Sequence, residues 1–292
     1  MTVTTTDWML AGAERQPILV SADTSDQGAP PRAAVLLAHG FKGYKDYGFI
    51  PVLAGRLAER LPIVAHRFNF SHSGMTDAIA TFARPDLFER DTWNKQVFDL
   101  GALLDAVERG DAPATDAGLP VIVMGHSRGG AACLISAGRR ARDGVTPAPV
   151  AVITMSAPDH ACNMSGDARA QMRREGFLVS PSARTGQALR IGRAWIEEQE
   201  ADPGGHDMLG LCKQIDAPVL AIHGADDPTV DPACAGRIAA ACPSGETFLI
   251  PGANHVYNTP NPADPAAPMT AQLASLVDHA AGFIRRHALE SG

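Results

Sequence analysis

The chain alternates between short apolar runs and longer segments in which apolar residues recur about every 3.6 positions. The apolar runs have the length of strands and little polar alternation, which is typical of parallel strands covered on both faces. They occupy residues 33–40, 61–70, 119–127, 148–158, 217–224 and 246–252. Helical periodicity is found at residues 48–61, 91–110, 129–142, 232–242 and 270–289. The repeated strand, helix, strand order predicts an α/β fold with a doubly wound, mostly parallel sheet.

One segment, residues 159–216, interrupts this alternation. It lies between two strand runs and is too long for one crossover helix. Its patterns predict two or three short helices, in DARAQMRREGF, TGQALRIGRAWIEEQ and HDMLGLCKQI. An insertion after a strand's carboxyl end covers the crevice where open α/β sheets bind ligands. We therefore expect a single domain over residues 1–292, with a small helical lid at 159–216. The first residues, with 17–23, are expected to add one or two antiparallel edge strands.

Composition and charge narrow the class of protein. With 45% apolar and 20% charged residues, the 292-residue chain has the composition of a globular protein with a sizeable core. A net charge of -7 without a basic cluster gives no electrostatic case for nucleic acid or an anionic membrane. No apolar run approaches the roughly 20 residues that span a bilayer, and no secretory signal is visible. Five cysteines without C-x-x-C spacing predict reduced thiols, as in a cytoplasmic protein.

Ser127 lies between an apolar run and a helical pattern, in the stretch VIVMGHSRGGAAC at residues 121–133. Serine and glycine are common where a chain reverses, so one interpretation is a serine needed only for a tight turn. The other is a nucleophile on a strained strand-to-helix turn, which is the context that the G-x-S-x-G pattern requires. A serine hydroxyl then needs a base that takes its proton and donors that receive the oxyanion.

Groups suited to these roles follow other predicted strands. LAHGFKGY ends one strand at His39, so the backbone N–H of Phe41 just after it is a candidate oxyanion donor. The backbone N–H of Arg128, at the start of the helix after Ser127, is the second candidate. IHGADDPTVD places an acidic cluster past another strand, and PGANHVYN places His255 past the last one. The order of nucleophile, acid and histidine is the one expected of α/β-hydrolases, so His255 is the candidate base for Ser127.

The chain resembles a known family in the segments HGF, RFNFSHSG, GHSRGG, HGADDPTVD and GANH, which cover nearly all of it from residue 33. It is similar to the serine esterase and dienelactone-hydrolase-like branch of the α/β-hydrolase superfamily. The resemblance implies the α/β-hydrolase fold and the chemistry of short-chain carboxylesterases, cinnamoyl esterases and thioester or acyl-amino-acid hydrolases. It also implies that the acid is the fifth residue of H-G-x-x-D, which is Asp227. Because this chain doubles the aspartate and has VD where the family often has VP, Asp226 remains an alternative.

Other residues near the motifs have simpler interpretations. Asp159 is a weaker rival acid, and Asp231 is expected to cap a helix. Three histidines beside the motifs are expected to pack in or behind the turns: His39, His126 and His223. The side chain of Arg128 is expected at the lid or the surface, because only its backbone is needed. Three residues of the insertion are candidates for an acyl pocket, although packing within the lid is the simpler use: Met172, Phe177 and Trp195.

The sequence therefore predicts a serine hydrolase that cleaves carboxylic esters or thioesters of small to medium acyl groups. No H-E-x-x-H motif and no G-x-G-x-x-G after a strand occurs, so neither a metal nor a nicotinamide cofactor is expected. A peptidase, an amidase or an acyltransferase would use the same triad, and a non-catalytic binding protein is a further alternative. The expected partner is a small-molecule ester, and a homodimer is left open.

Overall fold

The computed structural model describes residues 2–26, 30–264 and 267–290. Ten strands lie within these ranges: β1 Val3–Ala11, β2 Pro17–Ser25, β3 Ala33–Ala38, β4 Ile63–Phe68, β5 Val121–His126, β6 Ala151–Met155, β7 Phe177–Pro181, β8 Ala188–Gly192, β9 Val219–Gly224 and β10 Gly245–Ile250. The described α-helices are α1 Ile50–Arg60, α2 Pro85–Glu89, α3 Trp93–Glu108, α4 Arg128–Asp143, α5 Gly166–Glu175, α6 Ala194–Ala201, α7 Pro203–His206, α8 Met208–Cys212, α9 Ala233–Ala241 and α10 Ala271–Ile284. The described ranges also contain a short 3₁₀ turn at Ala13–Arg15 and a π-helical segment at Arg285–Leu289.

Eight of the strands form one sheet in the order β1-β2-β4-β3-β5-β6-β9-β10. Strands β1 and β2 are antiparallel to their neighbours, and the remaining pairs are parallel. The predicted doubly wound, mostly parallel sheet with antiparallel strands at one edge is confirmed. The carboxyl ends of β3, β5, β6 and β9 are adjacent, so the loops that follow these strands meet above the centre of the sheet.

Two apolar layers cover the two faces of this sheet. In β3 every residue is buried, and successive side chains join opposite layers. Ala34 and Leu36 pack on the side of α3 and α4, whereas Val35 and Leu37 pack on the side of α1 and α10. This burial on both faces is the physical reason why the strand sequence is continuously apolar.

The segment between β6 and β9 differs in part from the predicted set of short helices. It contains α5, the antiparallel hairpin of β7 and β8, and then α6, α7 and α8. The prediction of one helix over TGQALRIGRAWIEEQ is wrong in its first half, because residues 188–192 pair with β7. The segment docks on the main body through Glu198, whose carboxylate accepts a hydrogen bond from the backbone N–H of Trp93 at the start of α3 (2.6 Å).

Within the described ranges, no helix combines the length and the apolar character that crossing a membrane requires.

Gly236 offers a test of how the helices are packed. It is exposed in the middle of α9, and a Cβ added there meets no atom within 4 Å. Gly236→Ala should therefore raise the free energy of unfolding by about 0.5–1 kcal/mol, because alanine loses less backbone entropy in a helix. Thermal unfolding followed by circular dichroism should show a midpoint higher by roughly 1–4 °C.

Gly138→Ala is the matched control for this substitution. Gly138 lies in α4, where an added Cβ would stand 2.7 Å from both the Cβ and the backbone oxygen of Leu211. This variant should lower the midpoint, because a backbone atom cannot yield to the new methyl group. A lower midpoint for Gly236→Ala would contradict the packing described for α9.

Candidate active site

Ser127 occupies the sharp turn between β5 and α4. Its backbone has φ 53° and ψ -123°, a conformation that residues other than glycine rarely adopt and that costs about 1–3 kcal/mol. The turn is held by the backbone N–H of Ser127, which donates to the carbonyl oxygen of Met155 in β6 (2.7 Å). Strand, strained turn and helix thus follow one another as the G-x-S-x-G context demands.

The glycines around Ser127 let neighbouring segments approach the turn closely. An added Cβ on Gly129 would collide with the backbone oxygens of Ala38 and His39, and one on Gly125 would collide with the backbone of Gly129. The loop after β3 therefore lies against the turn that carries Ser127. No larger residue at positions 125 and 129 would leave this geometry intact.

His255 and Asp227 are brought together from two different loops. Asp227 follows β9 and His255 follows β10, and Nδ1 of His255 lies 2.7 Å from Oδ2 of Asp227. Because an ionised carboxylate only accepts hydrogen bonds, Nδ1 carries the proton and donates it. The other ring nitrogen of His255, Nε2, is then the basic one.

Further hydrogen bonds fix the carboxylate of Asp227. Its Oδ1 accepts from the backbone N–H groups of Thr229 (2.8 Å) and Val230 (3.1 Å), and Nε2 of His223 lies 3.1 Å from Oδ2. Burial alone would raise the pKa of Asp227, but the hydrogen bonds from His223 and His255 outweigh it and hold the pKa far below its usual range. The carboxyl group of Asp227 is therefore ionised. Asp226, the alternative acid, is exposed.

Two buried histidines connect the loops around Ser127. Nε2 of His39 accepts from the backbone N–H of Phe70 (3.3 Å), so its Nδ1 donates to the carbonyl oxygen of Gly40 (2.8 Å). Nε2 of His126 donates to the carbonyl oxygen of His255 (2.8 Å). Burial lowers the pKa of His39 to about 4 and that of His126 to about 3, so both rings are neutral at pH 7. They hold the loops in place, which agrees with the packing role expected from the sequence.

Phe41 and Arg128 carry the backbone N–H groups that the sequence predicts as oxyanion donors. A Cβ on Gly40, next to Phe41, would stand 3.0 Å from the Cβ of Ser127. Among the described residues, neither the N–H of Phe41 nor that of Arg128 donates to a protein acceptor. Arg128 is the first residue of α4, where backbone N–H groups are free and the helix dipole favours negative charge.

A cavity of about 330 Å³ opens beside Ser127. Its wall combines residues of the main body with residues of the segment between β6 and β9, and it is largely apolar. Eight apolar side chains contribute to it: Phe41, Trp93, Pro158, Ala161, Met164, Ile191, Trp195 and Val230. The volume and the apolar lining are typical of a site for a small organic ligand.

The side chain of Arg128, which the sequence places at the lid or the surface, is largely buried and contacts the segment between β6 and β9. It keeps only 13% of its area exposed and lines the cavity. Three aromatic rings surround the guanidinium, whose central carbon lies 4.7 Å from the ring centre of Trp93, 5.4 Å from that of Phe41 and 5.7 Å from that of Trp195. The contact with Trp195 agrees with the predicted position of the Arg128 side chain at the lid. The alternative prediction, a position at the surface, is wrong. Three planar side chains converge on Arg128, and such packing is not visible in any local motif.

Asp91 is the counter-ion of Arg128, and sequence reasoning missed it. Nη2 of Arg128 lies 3.1 Å from Oδ2 of Asp91, which also accepts from Nε2 of Gln96 (2.7 Å). Burial raises the pKa of Asp91 to about 6, although Arg128 and Gln96 oppose the rise. Asp91 precedes Thr92, the N-cap residue of α3, and only the folded chain brings Asp91 against Arg128.

The remaining candidates from the sequence make contacts with other parts of the chain. Asp159, the rival acid, pairs with Arg237 and with Nδ1 of His160. Oδ1 of Asp231 accepts from the backbone N–H of Ala233 (3.0 Å) at the first turn of α9, in keeping with a capping role. Of the three candidates in the insertion, only Trp195 belongs to the described lining of the cavity. The part of the chain that the structure describes holds no group of three metal-ligating side chains.

Residues 35–268 match the model of the Alpha/beta hydrolase family, and the chain belongs to this family. Solved structures share the fold. Est1E from Butyrivibrio proteoclasticus is 13% identical, with a TM-score of 0.66, over 96% of this chain and 98% of that one. The esterase domain of a Rhodothermus marinus protein is 20% identical, with a TM-score of 0.62, over 99% and 100%.

A dienelactone hydrolase from Anabaena variabilis is 15% identical, with a TM-score of 0.61, over 97% of this chain and 99% of that one. These structures agree with the predicted resemblance to esterases and dienelactone hydrolases. At such low identity they share the fold with this chain, and the site has to be judged on its own residues. The curated proteins contain no sequence with significant similarity to it.

Proposed function

We propose that the protein is a serine hydrolase that cleaves carboxylic esters or thioesters of small to medium acyl groups. One observation carries the proposal. Ser127 stands on a strained strand-to-helix turn, and a neighbouring loop carries His255 with Nδ1 hydrogen bonded to the buried, ionised Asp227. Membership in the Alpha/beta hydrolase family supports hydrolytic chemistry.

In the acylation step, Nε2 of His255 takes the proton of Ser127, and Oγ attacks the carbonyl carbon of the ester. Asp227 keeps the proton on Nδ1 and stabilises the imidazolium that forms. The backbone N–H groups of Phe41 and Arg128 receive the developing oxyanion, and each such donor lowers the barrier by about 3 kcal/mol. His255 then protonates the departing alkoxide or thiolate, which leaves the acyl group on Ser127.

In the deacylation step, a water molecule takes the place of the leaving group. His255 removes its proton, the hydroxide attacks the acyl carbon, and the same two N–H groups hold the second oxyanion. Collapse releases the carboxylic acid and returns the proton to Ser127. No cofactor takes part in the proposed acylation and deacylation steps.

The cavity supports an apolar acyl group as the part of the substrate that is bound. Its eight apolar lining side chains include three aromatic rings. Est1E has been solved with ferulic acid bound, and that structure is 15% identical to this chain with a TM-score of 0.68. An aromatic ester therefore belongs among the first substrates to be tried.

A panel of 4-nitrophenyl esters of rising acyl length tests the proposal. It should include one aromatic ester, one thioester and one aminoacyl 4-nitroanilide. We expect turnover of the esters or the thioester, with weaker turnover of the anilide. A preference for the anilide would favour the amidase alternative, and absence of turnover on the whole panel would contradict the proposed function.

Trp195→Ala tests whether the insertion selects the acyl group. Removing the indole enlarges the cavity beside the substrate, so kcat/KM should shift toward longer acyl chains. The preference should change by about 1–3 kcal/mol, or roughly 10- to 100-fold, between the longest and shortest esters. The measurement is kcat/KM across the aliphatic esters, with the acetate ester least affected.

Phe177→Ala is the matched control. Phe177 lies in the same insertion with its ring 4.1 Å from Arg190, and it is outside the described lining of the cavity. This variant should leave the order of acyl preference as it is in the native protein. If Trp195→Ala lowered all esters in parallel, Trp195 would serve only the packing of the insertion.

A further inference from the structure

The guanidinium of Arg128 lacks the hydrogen-bond acceptors that such a group requires. Its Nε and Nη2 are buried, and neither has a partner in hydrogen-bond geometry among the described residues. Asp91 lies 3.1 Å from Nη2 and compensates the charge, but the contact lacks that geometry. The rings of Phe41, Trp93 and Trp195 surround the guanidinium, and they attract a cation but provide no strong acceptor. The carboxylate of Glu198 adds a second negative charge in the neighbourhood. Most buried polar groups in folded proteins are paired, so these unpaired donors require a reason.

The position of Arg128 points to the ligand as the missing partner. The side chain lines the cavity that also contains Ser127, so whatever occupies the cavity meets it. A guanidinium presents several donors in one plane, and this arrangement matches the two oxygens of a carboxylate. The aromatic rings keep water away, which strengthens an ion pair formed there.

The cavity lies on the acyl side of the proposed reaction. The leaving group must approach His255, because His255 protonates it. His255 is not among the described residues that line the cavity, whereas Ser127 and Arg128 are. The acyl chain is therefore the part of the substrate that extends past Arg128.

On these grounds we propose that Arg128 is a specificity-determining residue that binds a second, distal carboxylate on the acyl chain. The preferred substrates would then be monoesters of dicarboxylic acids. The apolar walls contact the methylene chain or ring between the two carboxyl groups, and the guanidinium holds the far end. This proposal rests on the proposed ester hydrolysis and adds the substrate class to it.

Paired substrates test the proposal. Mono-4-nitrophenyl esters of adipic and suberic acid should be compared with the ω-amide of the same length, which is similar in shape but uncharged. The native protein should show kcat/KM about 10- to 100-fold higher for the carboxylates. Arg128→Met should remove this preference and Arg128→Lys should keep part of it. Taking the ratio within each variant cancels any general loss of activity.

Asp91→Asn should change the preference for the charged substrate in the direction opposite to Arg128→Met. It removes the competing carboxylate at nearly constant shape, so the ratio of charged to uncharged substrate should rise above that of the native protein. Equal kcat/KM for the two members of each pair in the native protein would overturn the proposal. A ratio that Arg128→Met left unchanged would also overturn it.

A binding measurement separates this proposal from the proposed hydrolysis. Ser127→Ala can be titrated with monomethyl adipate and with methyl 5-carbamoylpentanoate in a calorimeter. The carboxylate should bind at least about 10-fold more tightly, and Arg128→Met in the same background should abolish the difference. If esters are not turned over but this difference is found, the hydrolysis is wrong and the anion site stands. If esters are turned over and no difference is found, the anion site is wrong.

Discussion

Ser127→Ala should lower kcat for every ester that the protein cleaves by about 10⁴- to 10⁶-fold, because the acyl-enzyme can no longer form. The fold should persist, since alanine is smaller than serine and Oγ of Ser127 caps no helix. Steady-state kinetics with 4-nitrophenyl esters gives the loss, and circular dichroism confirms the fold. A fluorophosphonate should label the native protein at one residue and leave the variant unlabelled.

Ser275→Ala is the control for this experiment, because Ser275 lies in α10 and is not among the described residues that line the cavity. It should keep native activity and native labelling. Labelling that persisted in Ser127→Ala would place the nucleophile on another residue. An undiminished kcat would likewise exclude Ser127 from the reaction.

Asp227→Asn should lower kcat by about 10³- to 10⁴-fold, the second largest expected loss. An amide at this position can donate to Nδ1 of His255, which would move the proton to Nε2 and take away the basic nitrogen. It also withdraws the negative charge that stabilises the imidazolium. The measurement is kcat on the best ester of the panel, together with thermal unfolding to confirm a folded variant.

Asp226→Asn is the matched control, since it makes the same chemical change one residue away on an exposed side chain. Its kcat should remain within about 2-fold of the native value, as expected of a surface substitution without partners. A larger loss at Asp226 than at Asp227 would reverse the assignment of the acid. Equal losses would show that neither carboxylate alone supports His255.

Much of the fold could be predicted because burial leaves a periodic signature. Strands covered on both faces, such as β3 and β9, are continuously apolar, and helices covered on one face repeat their apolar residues every 3.6 positions. The β7 and β8 hairpin was not predicted, because its strands are short and only two of their residues, Leu189 and Gly192, are buried. The sequence of β8, ALRIG, carries no pattern long enough to separate a strand from a helix.

Some features of the candidate site could likewise be predicted from the sequence, and others could not. The sequence by itself determined the sheet, the turn that carries Ser127, and the loops that carry the acidic cluster and His255, because glycine spacing and strand ends are local properties of the chain. The choice between Asp226 and Asp227 for the hydrogen bond to His255 was decided only by the tertiary structure. Neighbouring residues on a turn point in different directions, and only the folded loop buries the second of them.

The environment of Arg128 is likewise a property of the folded chain. Its ring neighbours come from the loop after β3, from the start of α3 and from α6. Asp91 lies just before Thr92, the N-cap residue of α3. These segments are far apart along the sequence, and no pattern within any one of them records the contact. The sequence shows only that Arg128 follows Ser127 at the start of a helix. Long-range packing decided that this residue is a buried cation in the wall of the cavity, because side-chain burial depends on every segment that reaches the same place.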